Sequence, residues 1–326
     1  MVELRGNVER MPDVELEIVD DGAVPADVHH LVEQVQAATG HRPLSDHLWL
    51  DLIQGGRPGA ASVLAWRSDP GGERALLGFC QLSRNATSWA LELVVDDDPG
   101  NASAGGVLVG AALRHIADLG GGHVHWWVFA PTEESAAIAR RNGLREGRTL
   151  HQMRVPLPLP ADVVDRATAG LALRTFRPGT DEADWLEVNN SAFAHHPEQG
   201  GWDLETLRQR EREDWFDPAG FLLHHRDGRL AAFCWTKVHD DVSPVLGEIY
   251  VIAVHPDFHG SGLGRALTVA GLDSIARRGI TTGMLYVDRD NTAAFGLYQA
   301  LGFRVHRTDR AYVGDITPTA TPEARA

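Results

Sequence analysis

The chain contains a single lysine. Lys237 stands alone among 30 basic residues, all the others being arginine. Against 45 acidic residues they leave a formal net charge of −15, which argues against a nucleic-acid partner because phosphate backbones require a basic face. Cysteine is nearly absent as well. Only Cys80 and Cys234 occur, and two reduced thiols in a cytosolic protein is the plain reading. No run of 18 apolar residues exists, and the opening MVELRGNVERMPDVELEIVD is too acidic and polar for a signal peptide. These absences predict a cytoplasmic protein without a nucleic-acid or membrane partner, and a monomer is expected. What remains is an ordinary globular composition, 43% hydrophobic and 23% charged over 326 residues, a length that suits two domains.

The two domains are copies of one another. LLGFCQLS (76–83) answers LAAFCWTK (230–237), so the two cysteines occupy one place in their copies. ALELVVDDD (90–98) answers GEIYVIAVHPD (247–257), which aligns Glu92 with Glu248. AALRHIADLGGGHVHWWVF (111–129) answers AGLDSIARRGITTGMLYVD (270–288), and AAIARRNGLREG (136–147) answers FGLYQALGFRVH (295–306). Between the copies Pro156, Pro158 and Pro160 favour an extended linker. The expected organisation is therefore 1–155, a linker over 156–170, and 171–326. Within the second copy, helical patterns (ADWLEVNNSAF, LETLRQREREDWF) precede three strands, GFLLHH, LAAFCWTKV and GEIYVIAV. A glycine loop, a helix, the strand GMLYVD, the helix NTAAFGLYQALG and a closing strand follow. That order predicts an α+β unit with a mixed sheet.

The glycine loop VHPDFHGSGLGRAL (254–267) carries the chemistry. Glycine costs roughly 1 kcal/mol of helix propensity, so alternating Gly260, Gly262 and Gly264 implies close approach to the backbone, most simply by a phosphate. A tight turn is the bland alternative. A dinucleotide fingerprint has the wrong spacing, and the Lys-Ser/Thr of a nucleotide-triphosphate loop is absent. The loop, followed by LYVDRDNTAAFGLYQALGFR, resembles the GNAT superfamily of acetyl-CoA-dependent N-acyltransferases. Its [QR]-x-x-G-x-[GA] signature corresponds to His259, Gly260, Ser261, Gly262, Leu263 and Gly264, with Arg265 next and His259 replacing the usual Gln or Arg. The resemblance implies two tandem GNAT domains, each a mixed, mostly antiparallel sheet flanked by helices. It implies acetyl-CoA as co-substrate, with the pyrophosphate on the loop amides and Ile252, Ala253 and Val254 beside the pantetheine. Asn291, Thr292, Ala293, Ala294, Phe295 and Gly296 would lie by the CoA arm, and Tyr298 near the leaving sulfur.

The tandem pair, with NNSAFAHHPEQGGW (189–202), FCWTKVH (233–239) and LYVDRDN (285–291), further resembles the mycothiol synthase family of actinobacteria. That family acetylates the cysteine amine of cysteinyl-glucosaminyl-inositol, the last step of mycothiol assembly. The resemblance makes Glu248 the general base and an amine contact, against the alternative of a solvated strand end. It makes Tyr298 the general acid, against ordinary core packing. Substrate contacts would be Lys237, Glu198, Tyr286 and, from the first copy, Asp46. For each, a surface, turn or packing role is the plain competitor. His195, His196 and His239 lack a metal-ligand spacing, so no metal is expected. In the first copy NASAGG (101–106) lacks the loop pattern and TEESAAIARRNGL lacks the asparagine and tyrosine, although Leu93, Val94 and Val95 still match the CoA-lining strand. It reads as a structural lobe that can hold CoA along Leu93, Val94 and Val95 without turning it over. Transfer to another small amine, such as an aminoglycoside or amino acid, and a non-catalytic acyl-CoA sensor remain the alternatives.

Overall fold

A computed structural model describes residues 14–20, 23–53, 59–68, 72–85, 88–96, 104–194 and 199–319. The first copy runs β1 (Val14–Asp20), α1 (Ala26–Thr39), α2 (Asp46–Ile53), β2 (Ala60–Ser68), β3 (Arg74–Arg84), β4 (Ser88–Val95), α3 (Ala104–Asp118), β5 (Gly122–Phe129), α4 (Glu133–Arg141) and β6 (Arg145–Pro156). After α5 (Ala161–Thr168) the second copy runs β7 (Arg174–Thr175), α6 (Glu182–Ala192), α7 (Leu204–Glu211), β8 (Phe221–Arg226), β9 (Arg229–His239), β10 (Leu246–Val254), α8 (Leu263–Arg277), β11 (Thr282–Asp288), α9 (Thr292–Ala300) and β12 (Arg304–Ile316). In the second copy the elements from α6 to β12 follow the order that the hydrophobic patterns predict. Each sheet is mixed, because β4–β5 and β10–β11 are parallel pairs among antiparallel ones.

Packing divides the chain into Met1–Leu150 with Arg307–Ala326, and His151–His306. The sequence copies and the packing units thus differ in their last strand. Strand β12 closes the first unit, antiparallel to β5 from Asp309↔Phe129 to Ile316↔Gly122. The end of β6 instead neighbours β11 in the second unit, where Met153 and Val155 enter the core. The stretch expected as an extended linker is extended only to Pro160. Beyond it Ala161–Thr168 turns helical, because Val163, Val164 and Ala167 recur on one face and pack against the core beside α8.

In the second unit, alternation along the strands separates two cores. One face gives Cys234, Ile249, Leu285 and Val287 to α5, α8 and α9. The other gives Phe221, Phe233, Trp235 and Val251 to an aromatic layer under α6 and α7, with Phe221 and Trp235 stacked at 4.4 Å. Fully buried Leu267, Leu272 and Ile275 tie α8 to the first face, each contributing about 1.5–3 kcal/mol. Both cysteines are free and buried on equivalent faces, and burial pushes both thiols up, Cys234 to about 12.

Register corrects one expectation. If Cys80 matches Cys234, then Ser83 matches Lys237, and the residue paired with Ser83 is Ala90, as Glu248 is paired with Lys237. The parallel partner agrees: Ala90 lies beside His125, the counterpart of Met284 beside Glu248. Glu248 therefore corresponds to Ala90 and not to Glu92. The offset arises because β10 carries one extra residue, Tyr250, as a bulge between Ile249↔Thr236 and Val251↔Trp235. Strand β4 passes the same point without a break. The second copy has a carboxylate where the first has a methyl group.

Candidate active site

The bulge sets the geometry of the site. A bulge adds local twist and bends its strand away from a neighbour. Strand β10 pairs with β11 only at Gly247↔Gly283 and Glu248↔Met284, and the ladder stops just before Tyr250. From there to Val254 the strand stays bonded to β9 alone, so β10 and β11 part. Ile252, Ala253 and Val254 line the parting edge; Ile252 and Val254 lean on the α8–α9 core, and Ala253 lies on the other face.

On the α6–α7 face, cross-strand partners gather the polar residues. Paired residues share a face, so Lys237 and Glu248 point the same way, and His239 joins them two residues along β9. The His239 Nε2–H donates to Glu248 Oε2 at 2.7 Å, which fixes both the tautomer and the carboxylate rotamer. Glu248 is only 6% exposed, so it is no solvated strand end. Lys237 is equally buried, and its ammonium sits over Trp215 at 4.6 Å and Tyr250 at 5.6 Å. A surface role for the sole lysine is therefore excluded. Tyr286 lies two residues beyond Met284 and shares its face. Tyr286 is 38% exposed, and its hydroxyl accepts from Gln152 Nε2 at 2.8 Å, while Gln152 Oε1 accepts from Arg154.

Tyr298 lies on the opposite face, in the core between α9 and the sheet. Burial, helped by the nearby Cys234, pushes its phenol up to about 12, so it stays protonated through the neutral range. The two expected catalytic residues thus flank the sheet where β10 and β11 separate. They are not neighbours on one surface.

The glycine loop leads into α8. Gly260 and Gly262 take φ of 75° and 80°, the left-handed region closed to most side chains, and a Cβ on either would meet nothing within 4 Å. Gly262 caps α8 without any side-chain hydrogen bond, so the amides of Leu263, Gly264 and Arg265 begin the helix uncapped, a suitable seat for an anion. His259 Nε2 donates back to the Val254 carbonyl at 3.0 Å, and Ser261 Oγ donates to the Phe258 carbonyl at 2.5 Å. The histidine therefore pins the loop through its side chain. Asn291 is the N-cap of α9, its Oδ1 accepting from Ala294 N–H at 3.1 Å; Thr292, Ala293 and Gly296 are exposed along the first turns, with Ala294 and Phe295 half-buried.

Of the remaining expected residues, Leu93, Val94 and Val95 lie on β4 beyond its last pairing with β5 at Glu92↔Trp127. Glu198, with His195 and His196, lies outside the described residues, and so does the side chain of Asp46, which opens α2. Among the described residues no cluster of three or more His, Cys, Asp or Glu could hold a metal, and no helix is long and apolar enough to cross a membrane.

Residues 185–303 match the model of the Acetyltransferase (GNAT) family. A protein of Acidimicrobium ferrooxidans named mycothiol acetyltransferase is 44% identical over 86% of this chain and 90% of its own. One of Thermobispora bispora with the same name is 44% identical over 86% and 93%. The chain belongs to the mycothiol acetyltransferase family. Among solved structures, a GCN5-related N-acetyltransferase from Sphaerobacter thermophilus aligns with TM-score 0.65 at 22% identity, covering 93% of this chain and 97% of that one. A tandem GNAT protein from the clavulanic acid biosynthesis pathway gives TM-score 0.65 at 18% identity, covering 94% and 100%. These two support the tandem GNAT fold.

Two features of the site lie outside what the sequence led one to expect. His239 drew notice only for the metal-ligand spacing it lacks, yet its place two residues from Lys237 on a strand already puts it on the face of Lys237 and Glu248. The pair Gln152–Tyr286 had no such signal, since β6 belongs to the other sequence copy.

Proposed function

We propose that the C-terminal unit transfers acetyl from acetyl-CoA to the cysteine amine of cysteinyl-glucosaminyl-inositol, the final step of mycothiol assembly. The observation that carries the reading is the placement of Glu248 and Tyr298 on opposite faces of the sheet, where β10 leaves β11. Acetyl-CoA would seat its pyrophosphate on the amides of Gly260 to Arg265 and its pantetheine along Ile252–Val254. The acceptor would enter from the face of Lys237, Glu248 and Tyr286, with Glu198 as a further contact. Free backbone N–H groups on the parting edge of β10 can polarise the thioester carbonyl.

The Glu248 carboxylate takes a proton from the ammonium, directly or through a water, so that the neutral amine attacks the thioester carbonyl. An α-amino group of ordinary pKa about 7.7–8.0 makes this an easy step. His239 holds Oε2, leaving Oε1 to accept that proton. As the C–N bond forms and the C–S bond breaks, Tyr298 donates a hydrogen bond to the departing sulfur. A phenol near 12 gives up its proton fully only where burial also raises the basicity of the thiolate, ordinarily about 8.5. Lys237, held over two aromatic rings opposite Glu248, would orient acceptor hydroxyls or carbonyls. In the first unit Ala90 and the buried Ala139 stand where the second has Glu248 and Tyr298, so that lobe is structural.

The test is the rate of CoA release with the cysteinyl pseudodisaccharide, free cysteine and free glucosamine. A strong preference for the intact pseudodisaccharide is expected. Equal rates with simple amines would overturn the assignment of substrate, and no release with any amine would overturn the reaction.

A further inference from the structure

Strand β6 ends beside β11, and there its side chains alternate between two environments. Met153 and Val155 enter the core under α8 and α9, so Gln152 and Arg154 face the other way, on the side of Lys237 and Glu248. Gln152 is buried, and its neighbour fixes how its amide is turned. Arg154 Nε can only donate, and it lies 3.0 Å from one end of that amide, so this end is the oxygen. The other end is the NH2, which donates to the Tyr286 hydroxyl at 2.8 Å. A phenol cannot return its own proton to that amide, because the nitrogen has no lone pair to offer. The Tyr286 O–H is therefore directed away from Gln152, on a side chain open to solvent.

The first unit shows that the fold does not need these polar groups. Met284 corresponds to His125, so Tyr286, two residues on, corresponds to Trp127. The alignment of 136–147 with 295–306, carried along the closing strands, matches Gln152 with Ala311 and Arg154 with Val313. Ala311 is the residue paired with Trp127, and Trp127, Ala311 and Val313 form one apolar cluster. Where the first unit packs tryptophan, alanine and valine, the second buries a glutamine between an arginine and a tyrosine. Burying an amide carries a desolvation cost that an apolar side chain avoids, so the chain Arg154–Gln152–Tyr286 serves something other than packing. We propose that Gln152 is a positioning residue for the amine substrate: held by Arg154, it fixes Tyr286 as a hydrogen-bond donor, so that the site selects a molecule presenting a carbonyl or hydroxyl oxygen at that point. A group offering only N–H hydrogens there meets an oxygen already engaged by Gln152. The inference rests on the reading of Tyr286 as a substrate contact and adds to it the direction of its proton. It also gives the end of the first sequence copy, which packs within the second unit, a part in choosing the substrate.

Steady-state kinetics with the cysteinyl pseudodisaccharide test this on Gln152→Met, Gln152→Glu, Tyr286→Phe and the double variant Gln152→Met with Tyr286→Phe, each checked by a thermal melt. Methionine has the length of glutamine without its polar groups. Gln152→Met should raise KM for the amine substrate about 3–10-fold, the weight of a neutral hydrogen bond, with kcat and KM for acetyl-CoA within about twofold of wild type. Tyr286→Phe should do the same. Adding Gln152→Met to it should change KM by less than about twofold more, because the glutamine acts only through the hydroxyl. Gln152→Glu keeps the contact with Arg154 but draws the phenol proton to itself, so it should raise KM as much as Gln152→Met, and it decides alone should Gln152→Met fail to fold. A full second rise of KM in the double variant would overturn the inference while leaving Tyr286 a substrate contact. So would wild-type KM in Gln152→Glu, or a Gln152→Met defect spread equally over kcat and both KM values. Unchanged KM in Tyr286→Phe would instead remove the substrate contact, and the inference with it.

Discussion

The two copies share a fold and differ at one strand. Beside β5, β4 pairs through five residues to Glu92↔Trp127; beside β11, β10 pairs through two and stops at Glu248. In equivalent positions the first ladder runs on past the point where the second opens. The difference is one residue. Tyr250 has no counterpart in β4, and as a bulge it both bends β10 from β11 and places an aromatic ring against the Lys237 ammonium. The carboxylates diverge too. Glu92, 1% exposed, accepts the Ser45 N–H at 2.7 Å just ahead of α2, an internal structural bond, while Glu248 is held by a histidine 22% exposed to solvent. A duplicated fold thus keeps its strand order while one inserted residue accompanies an earlier end to the parallel ladder of the second copy.

Deleting Tyr250 should break the comparison outright. Strand β10 would take the unbroken register of β4, and the pairing with β11 would extend across the opening. Turnover should fall by at least about 10⁴-fold, since both positioning and base are disturbed. A thermal melt checks that the variant folds, as β4 shows the bulge-free strand can. Turnover within tenfold of wild type in a folded variant would mean that the bulge does not create the site.

Glu248→Gln and Glu92→Gln separate chemistry from architecture. The first should lower kcat by about 10³-fold with unchanged melting, the range for a lost general base. The second should leave kcat alone and cost about 1 kcal/mol of stability, because a neutral acceptor replaces a charged one at Ser45. That corresponds to about 2–4 °C in Tm for a domain of this size. The reverse pattern, a kcat loss in Glu92→Gln alone, would show that the active copy has been misplaced.

These contrasts also mark what could be read from the letters. The glycine loop, the tandem copies and the significance of Lys237 were legible because each is local, a cluster, a repeat or a singular residue. The pairing of Glu92 with Glu248 was misread because matching two acids is easier than seeing a bulge, which only a register can show. The closing strands were beyond reach for a similar reason. Whether β12 pairs with β5 or with its own copy depends on contacts between residues 180 to 194 positions apart, from Asp309↔Phe129 to Ile316↔Gly122, and no periodicity reports that. His239 was legible in principle, since alternation on β9 puts it beside Lys237.

Tyr298→Phe sharpens the contrast with the first copy, where Ala139 takes its place. The ring packing against Phe303 survives, and only the donor is lost. Acetyl-CoA binding should be nearly unchanged and kcat should fall about 10²-fold. The acid acts while protonated and its phenol lies near 12, so the wild-type rate should show no descending limb near pH 10, the ordinary tyrosine value. A limb at pH 10 that disappears in Tyr298→Phe would show that bound substrate restores an ordinary pKa, and an unchanged kcat would leave Tyr298 as packing.

The smallest expected effect lies at His259, where the chain departs from the Gln or Arg of the superfamily signature. Its contribution is one hydrogen bond, Nε2–H to the Val254 carbonyl at 3.0 Å, on an exposed side chain. That bond ties the end of β10 to the turn leading into α8, and so sets where the loop amides point. A glutamine carries an N–H at similar reach and should restore the tie, so His259→Gln should change KM for acetyl-CoA by less than about threefold. Alanine removes it. An exposed neutral bond is worth about 0.5–1.5 kcal/mol, so His259→Ala should raise KM about 2–10-fold with kcat little changed. Steady-state kinetics at saturating acceptor measure both. If glutamine were as damaging as alanine, the ring itself would be touching the donor, and the loop would be reading its ligand through a side chain as well as through its backbone.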